Sequence, residues 1–275
     1  MRWIHVVGWL ALAPCLLHAP GAGADPVAVA NPGFEALYLG SNLPPEYGGD
    51  VPTGAFPTGP APAGWTAYYA SGPEAGMYIG VLNPGTSADH APDPPCFPDG
   101  APEGDNVVLL YMDGDDGGGE YGVEQELAAT LEADTVYTLT VEVGDIASCA
   151  GLVPPYTSFF DLDGFPGHRI QLLAGGVVIA EHTASLSLEE GEFGTAQLQI
   201  TTGDAPAQLG EPLSIRLINR NQPDEPGVSG LEVDFDDVRL DATPVPAVPV
   251  SGWAAGALSL ALMALGFARV RARRA

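Results

Sequence analysis

The chain has no lysine, and all nine of its basic residues are arginines. Five of those arginines lie in the first two and the last seven residues, which leaves four arginines against 35 acidic residues in the long middle part. A surface with this charge repels phosphate backbones, so we expect no nucleic acid among the partners. Bound divalent cations, or a salty medium, would relieve the self-repulsion of the carboxylates.

Sequence motifs of common enzyme classes are also absent. The chain contains no Gly-x-Ser-x-Gly, no His-Glu-x-x-His and no phosphate-binding loop. Carboxylate pairs for glycoside hydrolysis are available anywhere in so acidic a chain, and they therefore indicate nothing. His168 and His182 bracket one predicted hairpin and could face each other, which is more typical of a surface pair than of a metal site. We predict no catalytic residues and no enzymatic activity.

Cysteine is scarce, with three residues in the chain. Cys15 falls in the N-terminal segment discussed next, which leaves Cys96 and Cys149, both in loop-like sequence. An even pair in an exported protein favours a disulfide, worth about 4 kcal/mol in the chain-entropy model for a loop of this length. Two free thiols are the alternative.

The N-terminus has the pattern of a secretory signal peptide over residues 1–24. Arg2 precedes an apolar stretch at residues 3–17, and Ala-Gly-Ala at residues 22–24 offers a cleavage site. An uncleaved anchor helix is the rival interpretation, although Pro14 and Pro20 interrupt the segment. A lipoprotein attached through Cys15 is a weaker alternative, because Pro14 stands where a small residue is required.

The C-terminus has the pattern of a membrane anchor. Residues 250–268 carry no charge, and as a helix they would span about 28 Å, close to the thickness of a bilayer core. The Arg-rich residues 269–275 would stay in the cytoplasm by the positive-inside rule. We therefore predict a single transmembrane helix, with the membrane as a partner.

This arrangement resembles the PEP-CTERM class of bacterial sorting tails, with a Pro-containing motif, a transmembrane helix and an Arg-rich end. The Pro-rich residues 243–249 lack the Pro-Glu-Pro core and are closer to the VPxPA and IPTL-type variants. The resemblance implies an exosortase-like processing protease as a partner, and a bacterial protein that is either membrane-anchored or released at the cell surface or extracellular matrix. A plain anchor without cleavage is the alternative.

Residues 25–242 are predicted to form one all-β domain, a jelly-roll β-sandwich. Gly and Pro punctuate this body, several segments alternate with period two, and Gly175-Gly176 marks a hairpin. The Pro- and Gly-rich residues 39–104 are interpreted as long surface loops around a few short strands. The predicted strands are residues 106–112, 135–143, 168–174, 177–182, 196–201, 213–219 and 231–240.

Two motifs at opposite ends of the body resemble galactose-binding-like jelly rolls, which occur in carbohydrate-binding modules. The first is Asn-Pro-Gly-Phe-Glu at residues 31–35, followed by Gly64-Trp65. The second is Val-Asp-Phe-Asp-Asp-Val-Arg-Leu at residues 233–240. Shorter matches are Asp-Asn-Val at 105–107 and Gln-Glu-Leu at 125–127. We expect the first and last strands to lie close together.

The resemblance implies a structural calcium ion held by Glu35 and Asp236. Independently, the apolar phase of the last strand slips between Asp236 and Asp237, as a β-bulge would cause. Calcium requires six to eight oxygen ligands, so backbone carbonyls and another acid would have to join the two carboxylates. The alternative is that both side chains cap turns.

A second, weaker metal candidate is the Asp/Gly-rich run with Asp113, Asp115 and Asp116, for which a flexible acidic hairpin tip is the rival interpretation. Exposed aromatic rings could stack on sugars, although core packing is equally compatible with each of them. The ligand-binding candidates are Trp65, Tyr68 and Tyr69, followed by Tyr78, Tyr121 and Tyr156.

Taken together, these features predict an exported, non-enzymatic binding protein of the cell surface or extracellular matrix, with polysaccharide as the expected ligand. The first alternative is a structural or adhesive envelope protein without a ligand site. The second is a glycan-acting hydrolase, which would show two close carboxylates in a cleft. An aromatic-lined concave face would instead favour binding.

Overall fold

The computed structural model describes residues 23–37, 42–113, 119–183, 186–222 and 231–246, and this part of the chain is almost entirely β. Its helices are a 3-10 turn at Pro45–Tyr47 and one α-helical turn, α1, at Ser87–His90. The strands are β1 (Asp25–Val27), β2 (Thr66–Tyr69), β3 (Met77–Leu82), β4 (Val107–Met112), β5 (Tyr121–Thr130), β6 (Thr135–Asp145), β7 (Cys149–Ala150), β8 (Phe159–Phe160), β9 (His168–Ala174), β10 (Val177–His182), β11 (Glu192–Thr201), β12 (Pro212–Asn219) and β13 (Leu231–Pro244).

Two antiparallel sheets form a β-sandwich of the jelly-roll type. Sheet A has the order β11-β6-β13-β4-β3, and β1 pairs with the second half of β13. Sheet B has the order β10-β9-β12-β5-β2, and the short pair β7-β8 stands apart. The all-β prediction and the two-sheet architecture are confirmed, and so is the proximity of the first and last strands.

The main core lies between the two sheets. Alternate residues of each strand point inward, as Leu139 and Val141 do on β6 and Val233 and Phe235 on β13. Ile215 and Leu217 of β12 are among those that meet them from sheet B, and all are at most 1% exposed. Fully burying one such side chain contributes about 1.5 to 3 kcal/mol, so this layer carries most of the stability of the sandwich.

Two local predictions are confirmed at residue level. Strands β9 and β10 have the predicted bounds, and Gly175 and Gly176 between them have φ values of 56° and 76°. A two-residue hairpin turn of this kind requires positive φ at both positions, which glycine adopts without strain. The register of β13 against β6 shifts after Asp236, and Asp237 has a φ of 46°, as expected of the bulge inferred from the sequence.

The prediction of surface loops over residues 39–104 was wrong in one respect. Part of this segment adds to the edge of sheet A and covers one face of that sheet. Residues 54–59 run along the free edge of β3, where Thr58 and Gly80 form a bridge and Val81 N donates to Pro57 O at 3.1 Å. Within the described ranges, no helix has the length and hydropathy needed to cross a bilayer. The predicted signal peptide, transmembrane helix and Arg-rich tail lie essentially outside those ranges.

Candidate active site

Part of the outer face of sheet A, around β4 and the first half of β13, is buried, although one face of an antiparallel sandwich sheet commonly meets solvent. Inward-facing residues of β4 such as Val108 and Leu110 join the main core, whereas Leu109 joins a second cluster on the opposite face. On this outer face, Tyr78, Tyr111 and Glu232 stand side by side, because they are register partners across β3, β4 and β13. A row of two tyrosines and one acid therefore crosses three neighbouring strands.

Loops from three parts of the chain cover this face and are joined by aromatic contacts. Phe56, from the segment along β3, packs edge-on against Tyr156 and Phe160, with ring centroids 5.1 Å and 5.0 Å apart. Phe160 in turn stands edge-on to Tyr111 at 6.3 Å. The cover is thus an aromatic wall that faces the sheet.

A cavity of about 450 Å³ lies between the sheet and this cover. Its volume falls within the range of small-molecule sites in proteins. The lining is mostly apolar and aromatic, and it includes two carboxyl groups. The lining residues are Asn42, Phe56, Thr58, Tyr78, Leu82, Cys96, Leu109, Tyr111, Asp113, Ile146, Cys149, Pro155, Tyr156, Phe160, Leu162 and Glu232.

The predicted disulfide is confirmed, and it forms part of the cavity wall. Cys96 and Cys149 are bonded to each other and are 2% and 4% exposed. The bond joins the loop before β4 to the short strand β7, and Ala147 N donates to Cys96 O at 3.1 Å beside it. Two of the segments that cover sheet A are therefore covalently connected.

Glu232 is the buried acid of this cavity. It is 6% exposed, and burial raises its pKa to about 8, although the neighbouring Asp234 side chain partly offsets that effect. Asp234 is the next residue on the same face and is fully buried. Burial first, and then the negative charges of Glu232 and Asp145, raise the pKa of Asp234 well above its usual range. Glu232 is therefore mostly protonated at neutral pH and can donate a proton into the cavity.

Tyr111 stands next to Glu232 and carries a proton as well. Burial, followed by the nearby charges of Asp113 and Glu232, raises the pKa of Tyr111 to about 12. Its hydroxyl group interacts with the Asp113 carboxylate at the open end of the cavity. Its ring lies 5.9 Å from that of Tyr78, with the two planes inclined by 31°.

Glu35 and Asp236, the predicted calcium ligands, both contact the loop of residues 103–106. Glu35 Oε1 accepts hydrogen bonds from Asp105 N and Asn106 N, both at 2.8 Å, and Asp236 Oδ2 accepts from Glu103 N at 2.7 Å. Both side chains therefore accept hydrogen bonds from backbone amides of this loop, as expected if they cap a turn.

Acidic side chains also gather around Gly33. A Cβ at Gly33 would meet the Glu103 carboxylate and would lie 3.4 Å from Asp236 Oδ1. Burial is the main reason that the pKa of Asp236 rises to about 8, and the charges of Glu103 and Asp237 add to the rise. Among the described residues, no three His, Cys, Asp or Glu side chains converge on one metal position, so backbone oxygens would have to complete a calcium shell.

The other predicted site residues are dispersed. Trp65 is 5% exposed, packs against Phe34 with ring centroids 5.3 Å apart, and donates from Nε1 to Asn31 O. Tyr68 lies on sheet B, where the Arg216 guanidinium sits 3.9 Å from the centre of its ring. Tyr69 packs against the main core. Of the Asp/Gly-rich run, Asp113 lines the cavity, whereas Asp115 and Asp116 lie outside the described residues.

His168 and His182 do face each other, on sheet B and away from the cavity. His168 Nε2 and His182 Nδ1 are 3.1 Å apart, and the two rings are stacked. His168 is buried, and burial, with smaller contributions from His182 and Arg220, lowers its pKa to about 4. Both rings are therefore neutral at pH 7 and share a hydrogen bond.

The site is thus a cavity of small-molecule size with a buried acid, on the outer face of a jelly roll. The chain belongs to the HpiC1-like cyclase family, whose model matches residues 25–241. It is 31% identical to the Stig cyclase Fisc from Fischerella sp. TAU, whose structure was solved in complex with (3Z)-3-(1-methyl-2-pyrrolidinylidene)-3H-indole. The superposition covers 82% of this chain and 100% of the Fisc chain, with a TM-score of 0.63.

Another structure from the same organism shows a cyclase in complex with 4-(1H-indol-3-yl)butan-2-one. It shares 31% identity, covers the same shares of both chains and has a TM-score of 0.61. The xylan-binding domain from Paenibacillus barcinonensis is similar at 11% identity and a TM-score of 0.37, which is too weak to carry an argument. No curated protein matches the chain.

These relationships correct the two functional predictions. The prediction of a non-enzymatic protein was wrong, and so was the prediction of a cell-surface binding protein, because the family and its solved members are cyclases. The physical reason for the error is that the acid of this site belongs to no short motif. Glu232 becomes distinctive only because distant loops bury it.

Proposed function

We propose that the protein is an acid-catalysed cyclase and that Glu232 is its proton donor. The observation that carries this proposal is a buried carboxyl group, 6% exposed, at the wall of a cavity of about 450 Å³ that five aromatic rings help to line. General acids work best when their pKa lies near the operating pH, and Glu232 has a pKa of about 8.

The proposed step balances without any co-reactant. The O–H bond of Glu232 breaks, and its proton adds to a double bond or basic atom of the substrate, which becomes a cation. A second carbon of the same molecule attacks the cationic centre and closes the ring. The product then loses a proton to the Glu232 carboxylate, so that substrate and product are isomers and the acid is regenerated.

The aromatic wall supports such a step because ring faces attract cations. Tyr111 and Phe160 stand edge to face beside Glu232, and Tyr78 continues the row. A cation over such a ring gains about 0.5 to 2 kcal/mol. The cover also keeps bulk water away, which would otherwise capture the cation before the ring closes.

We propose substrates that contain an indole or a similar flat aromatic system, because two solved relatives hold indole compounds. The assay uses indoles with an alkenyl side chain and follows a product of unchanged mass by chromatography. Glu232→Gln should lower turnover by about 10² to 10⁴-fold. Glu126→Gln changes an exposed acid of sheet B and should have no effect. Full activity of Glu232→Gln would contradict the proposal.

We further propose a structural calcium ion at Glu35 and Asp236. Two contacts support this proposal. The Glu103 and Asp236 side chains lie close to Gly33, and Glu35 accepts a hydrogen bond from the same loop, residues 103–106, that Asp236 contacts. A cation there would neutralise like charges and fix residues 103–106, which lead into β4 and hence into the cavity wall. It would stabilise the fold and would take no part in the reaction.

Finally, we propose that the enzyme acts outside the cytoplasm, attached to or released from a bacterial membrane. The disulfide and the sequence patterns of residues 1–24 and 250–275 support this location. A variant that ends before Trp253 should appear in the medium, and retention in the membrane fraction would contradict the anchor. Processing by an exosortase-like protease and a polysaccharide partner stay predictions.

A further inference from the structure

The cavity contains no basic side chain among its lining residues. Its two ionisable acids are Asp113 and Glu232, and Asp234 and Asp145 lie behind the latter. All four arginines of the described chain are engaged in ion pairs elsewhere: Arg169, Arg216, Arg220 and Arg239. A phosphate or carboxylate on the substrate would therefore lose its hydration without gaining a cationic partner and would approach the Asp113 side chain, which makes anionic substrates unfavourable.

The open end of the cavity has the elements of a site for an organic cation. Asp113 follows Tyr111 by two residues and therefore projects from the same face of the sheet. Its backbone N donates to Gly76 O at 2.8 Å, which fixes its position beside the end of β3. The rings of Tyr78 and Tyr111 stand together there, and Tyr78 is 41% exposed. A carboxylate at the hydroxyl end of one tyrosine, with a second tyrosine ring beside it, is an arrangement that can bind ammonium groups.

Building on the proposed function of this cavity, we infer that the substrate carries a protonated amine, bound by Asp113 and the ring faces of Tyr78 and Tyr111. Glu232 is the register partner of Tyr111, and Asp113 lies two residues beyond Tyr111. The usual distances between strands and along a strand therefore place the Cα atoms of Asp113 and Glu232 roughly 8 Å apart. The amine thus binds at the open end while another part of the substrate reaches Glu232. Asp113 acts as a specificity-determining residue, and Glu232 as the proton donor.

The test uses three indoles of similar size that differ in charge: tryptamine, the neutral alcohol tryptophol and the anionic indole-3-propionate. Binding to the whole protein is measured by calorimetry at pH 7, with the same calcium concentration in every titration so that the proposed structural ion stays in place. We expect tryptamine to bind about tenfold more tightly than tryptophol, and indole-3-propionate to bind at least about tenfold more weakly than tryptophol.

Two variants assign the preference to one carboxylate. Asp113→Asn should bind tryptamine and tryptophol equally well, with the affinity for tryptophol unchanged. Glu232→Gln should keep the preference for tryptamine while it loses turnover, because Glu232 is already neutral at this pH.

Equal binding of tryptamine and tryptophol to the wild type, or a preference that survives in Asp113→Asn, would overturn the inference and leave the acid catalysis of Glu232 intact. Failure of all three indoles to bind would contradict both the indole site and this inference. A preference for tryptamine together with full turnover in Glu232→Gln would support the amine site and contradict the proton donor.

Discussion

Glu232 and Tyr111 are register partners on adjacent strands, β13 and β4, and both side chains line the same cavity. Burial, followed by the nearby charges of Asp113 and Glu232, raises the pKa of Tyr111 to about 12, and burial raises the pKa of Glu232 to about 8. The pair therefore presents a stronger acid, Glu232, and a weaker one, Tyr111, to a molecule in the cavity.

The ring of Tyr111 should matter more to turnover than its hydroxyl group. Tyr111→Phe keeps the ring face and should leave most of kcat, whereas Tyr111→Leu removes the ring and should lower kcat by roughly 3- to 30-fold, the equivalent of one cation–π contact. Steady-state kinetics on both variants check this. Equal kcat values for the two variants would show that the ring does not stabilise the cation.

The disulfide should support both the fold and the cavity. Cys96 and Cys149 are 53 residues apart in sequence, and the loop that they close corresponds to about 4 kcal/mol in the chain-entropy model. The double variant Cys96→Ser with Cys149→Ser should lose stability of this order in urea unfolding. It should also lose activity, because both residues line the cavity. A variant as stable as the wild type would contradict the structural role.

Calcium should stabilise the native state if Glu35 and Asp236 share an ion. A ligand that binds only the native state adds about 2.7 kcal/mol at one hundred times its dissociation constant. The Tm should therefore rise when calcium is added and fall again with chelator. The double change Glu35→Gln with Asp236→Asn should abolish the shift, and Glu126→Gln should preserve it. A wild-type Tm that does not respond to calcium would rule out the site.

His168 should make the protein less stable in mild acid. Its pKa is about 4 in the fold and about 6.5 in an unfolded chain, so the unfolded state binds more protons between these values. The contribution of His168 to the free energy of unfolding should therefore fall by about 3 kcal/mol as pH drops from about 6.5 to about 4. Buried acids with raised pKa values, such as Glu232 and Asp236, act in the opposite direction, so the difference between the wild type and the His168→Gln variant isolates the histidine. His168→Gln should lack that component. Parallel pH curves for the two proteins would contradict the assignment.

Much of the fold could be predicted from the sequence because strand periodicity and turn residues are local signals. Strands β9 and β10, the turn at Gly175-Gly176 and the bulge after Asp236 were all predicted correctly. Strand β5 has ten residues but was missed, because its alternation of apolar and polar residues is irregular. Gly122 interrupts it near the start, and the adjacent Ala128 and Ala129 interrupt it near the end. The disulfide was predictable because two cysteines have one way to pair.

The site was not predictable because it depends on which loops cover sheet A. The alternation in β13 indicates that the side chains of Glu232 and Asp234 project from the face of the sheet opposite to that of Val233. Val233 is a core residue, and acids on the other face of such a strand normally contact water. Here the disulfide-linked cover buries them instead. One signal was available: β4 is apolar at successive positions, which is typical of a strand buried on both faces. It shows that the face is covered, but it does not identify the acid as catalytic.

The most direct test of the account is the pH dependence of kcat/KM in the wild type and in Glu232→Gln. If Glu232 must be protonated to act, kcat/KM should fall above an apparent pKa of about 8 in the wild type. The residual activity of Glu232→Gln should lack this fall. A falling limb near pH 8 that persists in Glu232→Gln, or a wild-type profile that stays flat to pH 9.5, would show that Glu232 is not the proton donor.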